Sequence, residues 1–166
     1  MNMKQEQHPL NLGKLLVNFQ SLEFALRAFI WESEKVARQD VSSPTELKLD
    51  KFKEGDRVAE NAFTNYDSLS VLIDKYNQNP KISSTGLTID KSIVGIRDAI
   101  AHGRIFGDTP HPPMTLLKFS KPINECVKVT FSVQLTQEWF NKQLPRVQSA
   151  VLTVASALKK LQSSNL

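Results

Sequence analysis

Between Arg97 and Gly103 the chain reads Arg-Asp-Ala-Ile-Ala-His-Gly, an arginine and a histidine separated by four residues and followed by glycine. Arginine offers a planar, permanently charged fork that matches phosphate oxygens. Histidine exchanges its proton near neutral pH, which suits general acid or base work. The two types together could hold a phosphodiester and move a proton at it. His102 is the last residue before a helix-ending glycine, where the helix dipole favours imidazolium. Asp98 lies four residues before His102 and is within reach of its ring on a helix. Arg97 lies next to Val94 and Ala101, beside an apolar face where a solvent-facing arginine is not expected. Five residues on an ideal helix amount to about 140° of rotation and about 7.5 Å of rise, so Arg97 and His102 do not share a stripe. They meet on one phosphate if the helix end relaxes at Gly103, or if a second copy of the chain supplies the partner residue.

Glu23 is the other charged residue in an unexpected place. It falls between Phe19 and Leu26, inside an apolar stripe. A buried carboxylate needs a partner, and Arg97 is a natural one. The alternative is a Glu23 that reaches water at the stripe's edge. Elsewhere the sequence holds no Gly-rich phosphate loop, no nucleophile elbow and no histidine pair at metal spacing. His8, His102, His111 and the single Cys126 cannot build a closed zinc site, and one cysteine excludes an internal disulfide. Without a neighbouring histidine, Cys126 reads as a passive core or edge residue. Trp31 and Trp139, near helix ends, read as packing residues. No metal or cofactor is expected.

These residues need elements to position them. Leu12, Leu15, Leu16, Phe19, Leu22, Leu26, Phe29 and Ile30 recur at helical spacing and predict a helix over 10–38. Residues 45–60 read as a connection. A second helix is expected over 64–78, capped by Thr64, with Tyr66, Leu69, Ile73 and Tyr76 on its face. After a turn-rich linker over 81–88, a third is expected over 90–102. Asp90 is its cap and Gly103 its left-handed end. Then the period changes from 3.6 to 2. Residues 107–113 are a loop. Met114–Ser120 and Val127–Leu135 predict a β-hairpin, the second strand alternating apolar and polar with one face buried. A last helix over 137–161, capped by Thr136, keeps its apolar phase through Pro145 and is expected as one kinked helix.

The 166 residues fit one domain, and 40 % hydrophobic content is enough for a core at this size. Net charge is +4, and it is uneven. Residues 1–60 carry nine basic against ten acidic side chains, and residues 61–166 carry twelve against seven. The second part therefore permits an anionic partner. No apolar run approaches a membrane span, and the polar start has no secretory h-region, so a cytoplasmic protein is expected.

The Arg97–Gly103 stretch, closing a helix in a small helical chain with acidic Glu23 in the first helix, resembles the HEPN superfamily. That family's motif is Arg, four to six residues, then His, often with a polar residue after the Arg and Gly after the His. Asp98 and Gly103 match that variant. The four apolar stripes and the hairpin predict a mainly α fold spanning 1–166, which the resemblance makes a four-helix HEPN-like bundle; the β-hairpin (about 114–135) inserted before the last helix is an elaboration without a family role. Active members are metal-independent endoribonucleases, usually homodimers with a composite site from both subunits, and many act in toxin–antitoxin or phage-defence systems. On that reading Arg97 and His102 are catalytic and Asp98 and Glu23 support them. Arg104, Lys118, Lys121 and Lys128 hold RNA phosphates, and an antitoxin or other protein is a further partner. Arg104 stands where one toxin subgroup carries Tyr. Other members are non-catalytic dimerisation or binding modules. On that alternative Arg97 and Glu23 form a structural pair and His102 a helix cap.

Overall fold

A computed structural model describes residues 7–38, 51–107 and 113–163, without the side chains of 35–38. His111, most of the expected 107–113 loop and part of the 45–60 connection lie outside the described residues. The order of elements is α1 (Gln7–Arg38), α2 (Leu69–Gln78), α3 (Pro80–Ser83), α4 (Ile93–His102), β1 (Arg104–Phe106), β2 (Thr115–Phe119), β3 (Val129–Gln134) and α5 (Gln137–Ser163). The chain is mainly helical, with one small antiparallel sheet in the order β1-β2-β3. Two compact units are distinct: Met1–Leu22 with Ile89–Leu152, and Glu23–Thr88 with Thr153–Leu166.

The first unit holds the candidate chemistry. From α1 it buries Leu15, Phe19 and Leu22, and from α5 Phe140 and Val147, as the helical spacing predicts. Asn11, buried, donates to Gln137 Oε1 at 3.2 Å, and the buried His8 ring meets Phe140 edge-on at 5.6 Å. The Thr136 hydroxyl accepts the Trp139 N–H at 3.1 Å, so the expected cap of α5 is formed. A single helix continues through Pro145. Helix α4 buries Ile93, Ile96 and Ala99. The sheet follows it directly.

In the second unit α1 buries Leu26, Phe29 and Ile30, and Phe29 lies edge-on to Tyr76 at 4.9 Å. Arg27 ties down the segment before α2. Its guanidinium donates to the Ala62 carbonyl (2.8 Å), Asn65 Oδ1 (2.7 Å) and the Asp67 carbonyl (2.9 Å).

Several elements differ from the sequence expectation. Helix α2 begins at Leu69, with Ser68 as N-cap. Thr64 is occupied in a turn, its hydroxyl accepting the Asn61 N–H and donating to the Ala59 carbonyl. Tyr66 therefore precedes the helix and is fully exposed. Helix α4 begins at Ile93, and Asp90 instead accepts the N–H and hydroxyl of Ser92. Pro80 opens the one-turn α3 (Pro80–Ser83), which runs into the linker expected over 81–88. The hairpin gains a third strand, β1, paired antiparallel with β2. Three residues are too few to show a period. Strand β3 has no fully buried residue: Phe131 and Val133 are half-buried and Val129 is exposed, so the face expected to be buried is only partly covered.

Gly103 is extended (φ −83, ψ −177), not left-handed as expected. Its lack of a side chain serves close approach instead. A Cβ there would meet the Leu117 carbonyl oxygen at 2.7 Å and Leu116 Cδ1 at 2.8 Å, with the Ala99 carbonyl oxygen nearer still. Glycine thus lets the chain turn from the end of α4 straight into a strand against β2.

Candidate functional site

Helix α4 carries Arg97, Asp98 and His102 in its last two turns, and β1 continues with Arg104. The side chain of Arg97 is half-buried, and its Nη1 lies 3.5 Å from Asp98 Oδ1. The other carboxylate oxygen of Asp98 faces Lys118 Nζ of β2 at 3.6 Å. The expected bond from Asp98 to the His102 ring is not formed, since the carboxylate sits between two cations. His102 is exposed, and its ring has no hydrogen-bond or ion-pair partner among the described residues.

The helix is regular through His102, and the Gly103 N–H still reaches the Ala99 carbonyl at 2.7 Å. No relaxation separates Arg97 from His102, so they stay about 140° apart around the axis. Of the two ways to place both on one phosphate, a loosened helix end is closed. Glu23 is half-buried on the part of α1 that belongs to the second unit.

The basic residues divide into two groups. Lys118 faces α4 and is engaged by Asp98. Arg104, Lys121 and Lys128 are exposed, and none has an acidic partner among the described residues. The Arg104 guanidinium lies over the Phe119 ring, 5.6 Å from its centroid. Lys121 and Lys128 flank the hairpin tip, where Ile123 and Cys126 exchange backbone hydrogen bonds at 2.8 and 3.1 Å. Asn124 (φ 49) and Glu125 (φ 62) form its left-handed two-residue turn. Cys126 is exposed in that bridge.

Sequence reasoning missed a polar cluster around Asp90. Its carboxylate takes the Ser92 hydroxyl, the Ser92 amide and the Arg146 guanidinium, and Arg146 also donates to Ser92 Oγ. The Ser92 hydroxyl and amide, then Arg146, hold the Asp90 carboxyl at about 2. This ties the start of α4 to α5. The 56-residue separation leaves no local signal of it.

Among the described residues no group of three His, Cys, Asp or Glu side chains is placed to hold a metal ion. Among them too, no helix is long and apolar enough to cross a membrane. Comparison with family models, with curated proteins and with solved structures returns no match.

Proposed function

We propose that this chain is a metal-independent endoribonuclease of HEPN type, a four-helix bundle with its sheet inserted before the last helix, acting as a cytoplasmic homodimer. The observation that carries the reading is His102: an exposed histidine with no partner among the described residues, one turn beyond a half-buried arginine, in a unit where Arg104, Lys121 and Lys128 have no acidic partner among the described residues. His102 assists removal of the 2′-hydroxyl proton or protonates the leaving 5′-oxygen. The 2′-oxygen attacks phosphorus, the P–O5′ bond breaks, and the product carries a 2′,3′-cyclic phosphate. Arg97 stabilises the charge that develops on the phosphorane.

The angular separation of Arg97 and His102 favours a site shared between two copies, with Arg97 of one acting beside His102 of the other. A groove of about 640 Å³ between α1 and α5, lined by Pro9, Leu10, Gly13, Val17 and Leu144, supports self-association. Leu10 and Val17 are 51 % and 58 % exposed there, beside the polar Lys14, Asn18 and Gln148. Toxin–antitoxin or phage-defence systems are the setting that fits such an activity, with an antitoxin as a protein partner.

One observation favours a second reading, a non-catalytic HEPN-like dimerisation or binding module. Arg97 is half-buried and its guanidinium lies against Asp98, as a structural arginine would be. Incubating the purified protein with total RNA in EDTA separates the two. Cleavage with 2′,3′-cyclic ends, lost in His102→Ala, is the outcome expected of the nuclease. Cleavage that EDTA abolishes and a divalent ion restores overturns the mechanism. No cleavage of any RNA moves the assignment to the binding module.

A further inference from the structure

The sheet has two faces of different character. Leu116 is buried and Lys118 reaches Asp98, so their face looks toward α4. Alternation along β2 puts Thr115 and Leu117 on the opposite face, and the Arg104 guanidinium over its ring places Phe119 there too, past the register shift between Lys118 and Phe119. The register places Arg104 opposite Leu117, Phe106 opposite Thr115 and Val129 opposite Phe119. The outer face therefore carries two phenyl rings and one guanidinium. Phe106 is 45 % exposed, and the Arg104 guanidinium lies over the half-buried Phe119 ring. Arg104 and Phe106 are two residues apart on one strand, about 7 Å. His102 is two residues before Arg104, at the junction with α4.

We propose that this outer face, with Phe106, Arg104 and Phe119, is a base-stacking platform for single-stranded RNA. The proposal rests on the nuclease reading and adds the class of substrate. Phenyl rings and guanidinium planes bind the faces of nucleobases, and those faces are free only where RNA is unpaired. The surrounding charge selects a polyanion. Arg104, Lys121 and Lys128 have no acidic partners, and Glu125 is the only acidic side chain among the described residues from Gly103 to Leu135. A second copy of the chain is a poor occupant, since it would bring the same three cations against these three. A duplex would offer phosphates to the lysines and nothing to the rings.

The test is fluorescence anisotropy of a labelled 12-nucleotide single-stranded RNA, the same sequence as a duplex, and heparin. The protein carries His102→Ala so that the probe stays intact, with Phe106→Leu or Arg104→Lys added. Phe106→Leu keeps an apolar side chain without a π-face, and Arg104→Lys keeps the charge without the plane. Both sites are exposed, so both variants fold, which circular dichroism checks. Each is expected to weaken single-strand binding by about 5- to 150-fold, the worth of one stacked base. Duplex and heparin binding, driven by charge, should change little. Equal binding of single strand and duplex, or variants that bind the single strand like the parent, overturns the platform. RNA cleavage by the unmodified chain is measured in parallel, so the platform can fall while the nuclease reading stands. If a variant shifts the sedimentation coefficient and leaves RNA binding unchanged, the face joins two copies of the chain and the platform is wrong.

Discussion

Replacing Gly103 with alanine adds a Cβ at the junction of α4 and β1. That atom would lie 2.7 Å from the Leu117 carbonyl oxygen, 2.8 Å from Leu116 Cδ1 and closer still to the Ala99 carbonyl oxygen. Contacts this short force something to shift. Two of the three atoms are backbone carbonyls, one in the last turn of α4 and one in β2, and neither can rotate away as a side chain would. Overpacking costs about 1–3 kcal/mol, and backbone neighbours put this case at the upper end, about 3 kcal/mol. For a chain of 166 residues each kcal/mol moves Tm by about 2–4 °C, so a fall of about 6–12 °C is expected. Gly13 is the internal control. It is exposed within α1, and a Cβ there meets nothing within 4 Å. Gly13→Ala should stabilise by about 0.5–1 kcal/mol, through helix propensity alone. Thermal unfolding followed by circular dichroism reads both. A Gly103→Ala variant that melts with the wild type refutes the close approach, and so does one that behaves like Gly13→Ala.

Glu125 holds φ 62 at the hairpin tip, where a side chain is strained, and Glu125→Gly should raise stability by about 1 kcal/mol in urea unfolding. A loss of stability would show that the turn does not need that conformation. His8 is buried with no partner for Nε2, and burial lowers its pKa below the ordinary 6.5. The unfolded chain then binds the proton more tightly, so stability should fall as pH drops below 6.5 toward the folded value. His8→Phe should flatten that part of the profile, and an unchanged slope would assign it elsewhere. Asp90 acts in a separate window. Its depressed carboxyl contributes stability above 3.8 that is lost as pH falls toward about 2.

Long periodic segments were legible in the sequence because their signal repeats. Leu15, Phe19, Leu22 and Leu26 of the first stripe are buried as read, whereas Leu16, read on the same stripe, is exposed and Leu12 half-buried at its edge, and α5 runs unbroken through Pro145. Local polar chemistry misled where side chains had two uses. Thr64 and Asp90 both look like helix caps, yet each closes a turn just upstream of the helix it was expected to start. Strand β1 is three residues long and carries no period of its own. At the candidate site the sequence placed Arg97, Asp98 and His102 on one helix, as the structure has them. It did not show that Asp98 would be held by Lys118, since that contact depends on how β2 lies against α4. The pairing of Arg104 with Phe119 likewise needed the register of the sheet.

Arg97 and His102 lie on one regular helix but on different stripes, and the site proposed for them is shared between two copies of the chain. Co-expressing Arg97→Ala with His102→Ala, purifying the mixed dimer and measuring RNA cleavage in EDTA tests this directly. Each variant alone should lose about 10²–10⁴ of the rate, the usual worth of such a group. The mixed dimer holds one intact Arg97 and one intact His102 on opposite protomers, and it should cleave well above either parent. A mixed dimer as inactive as its two parents would contradict the shared site.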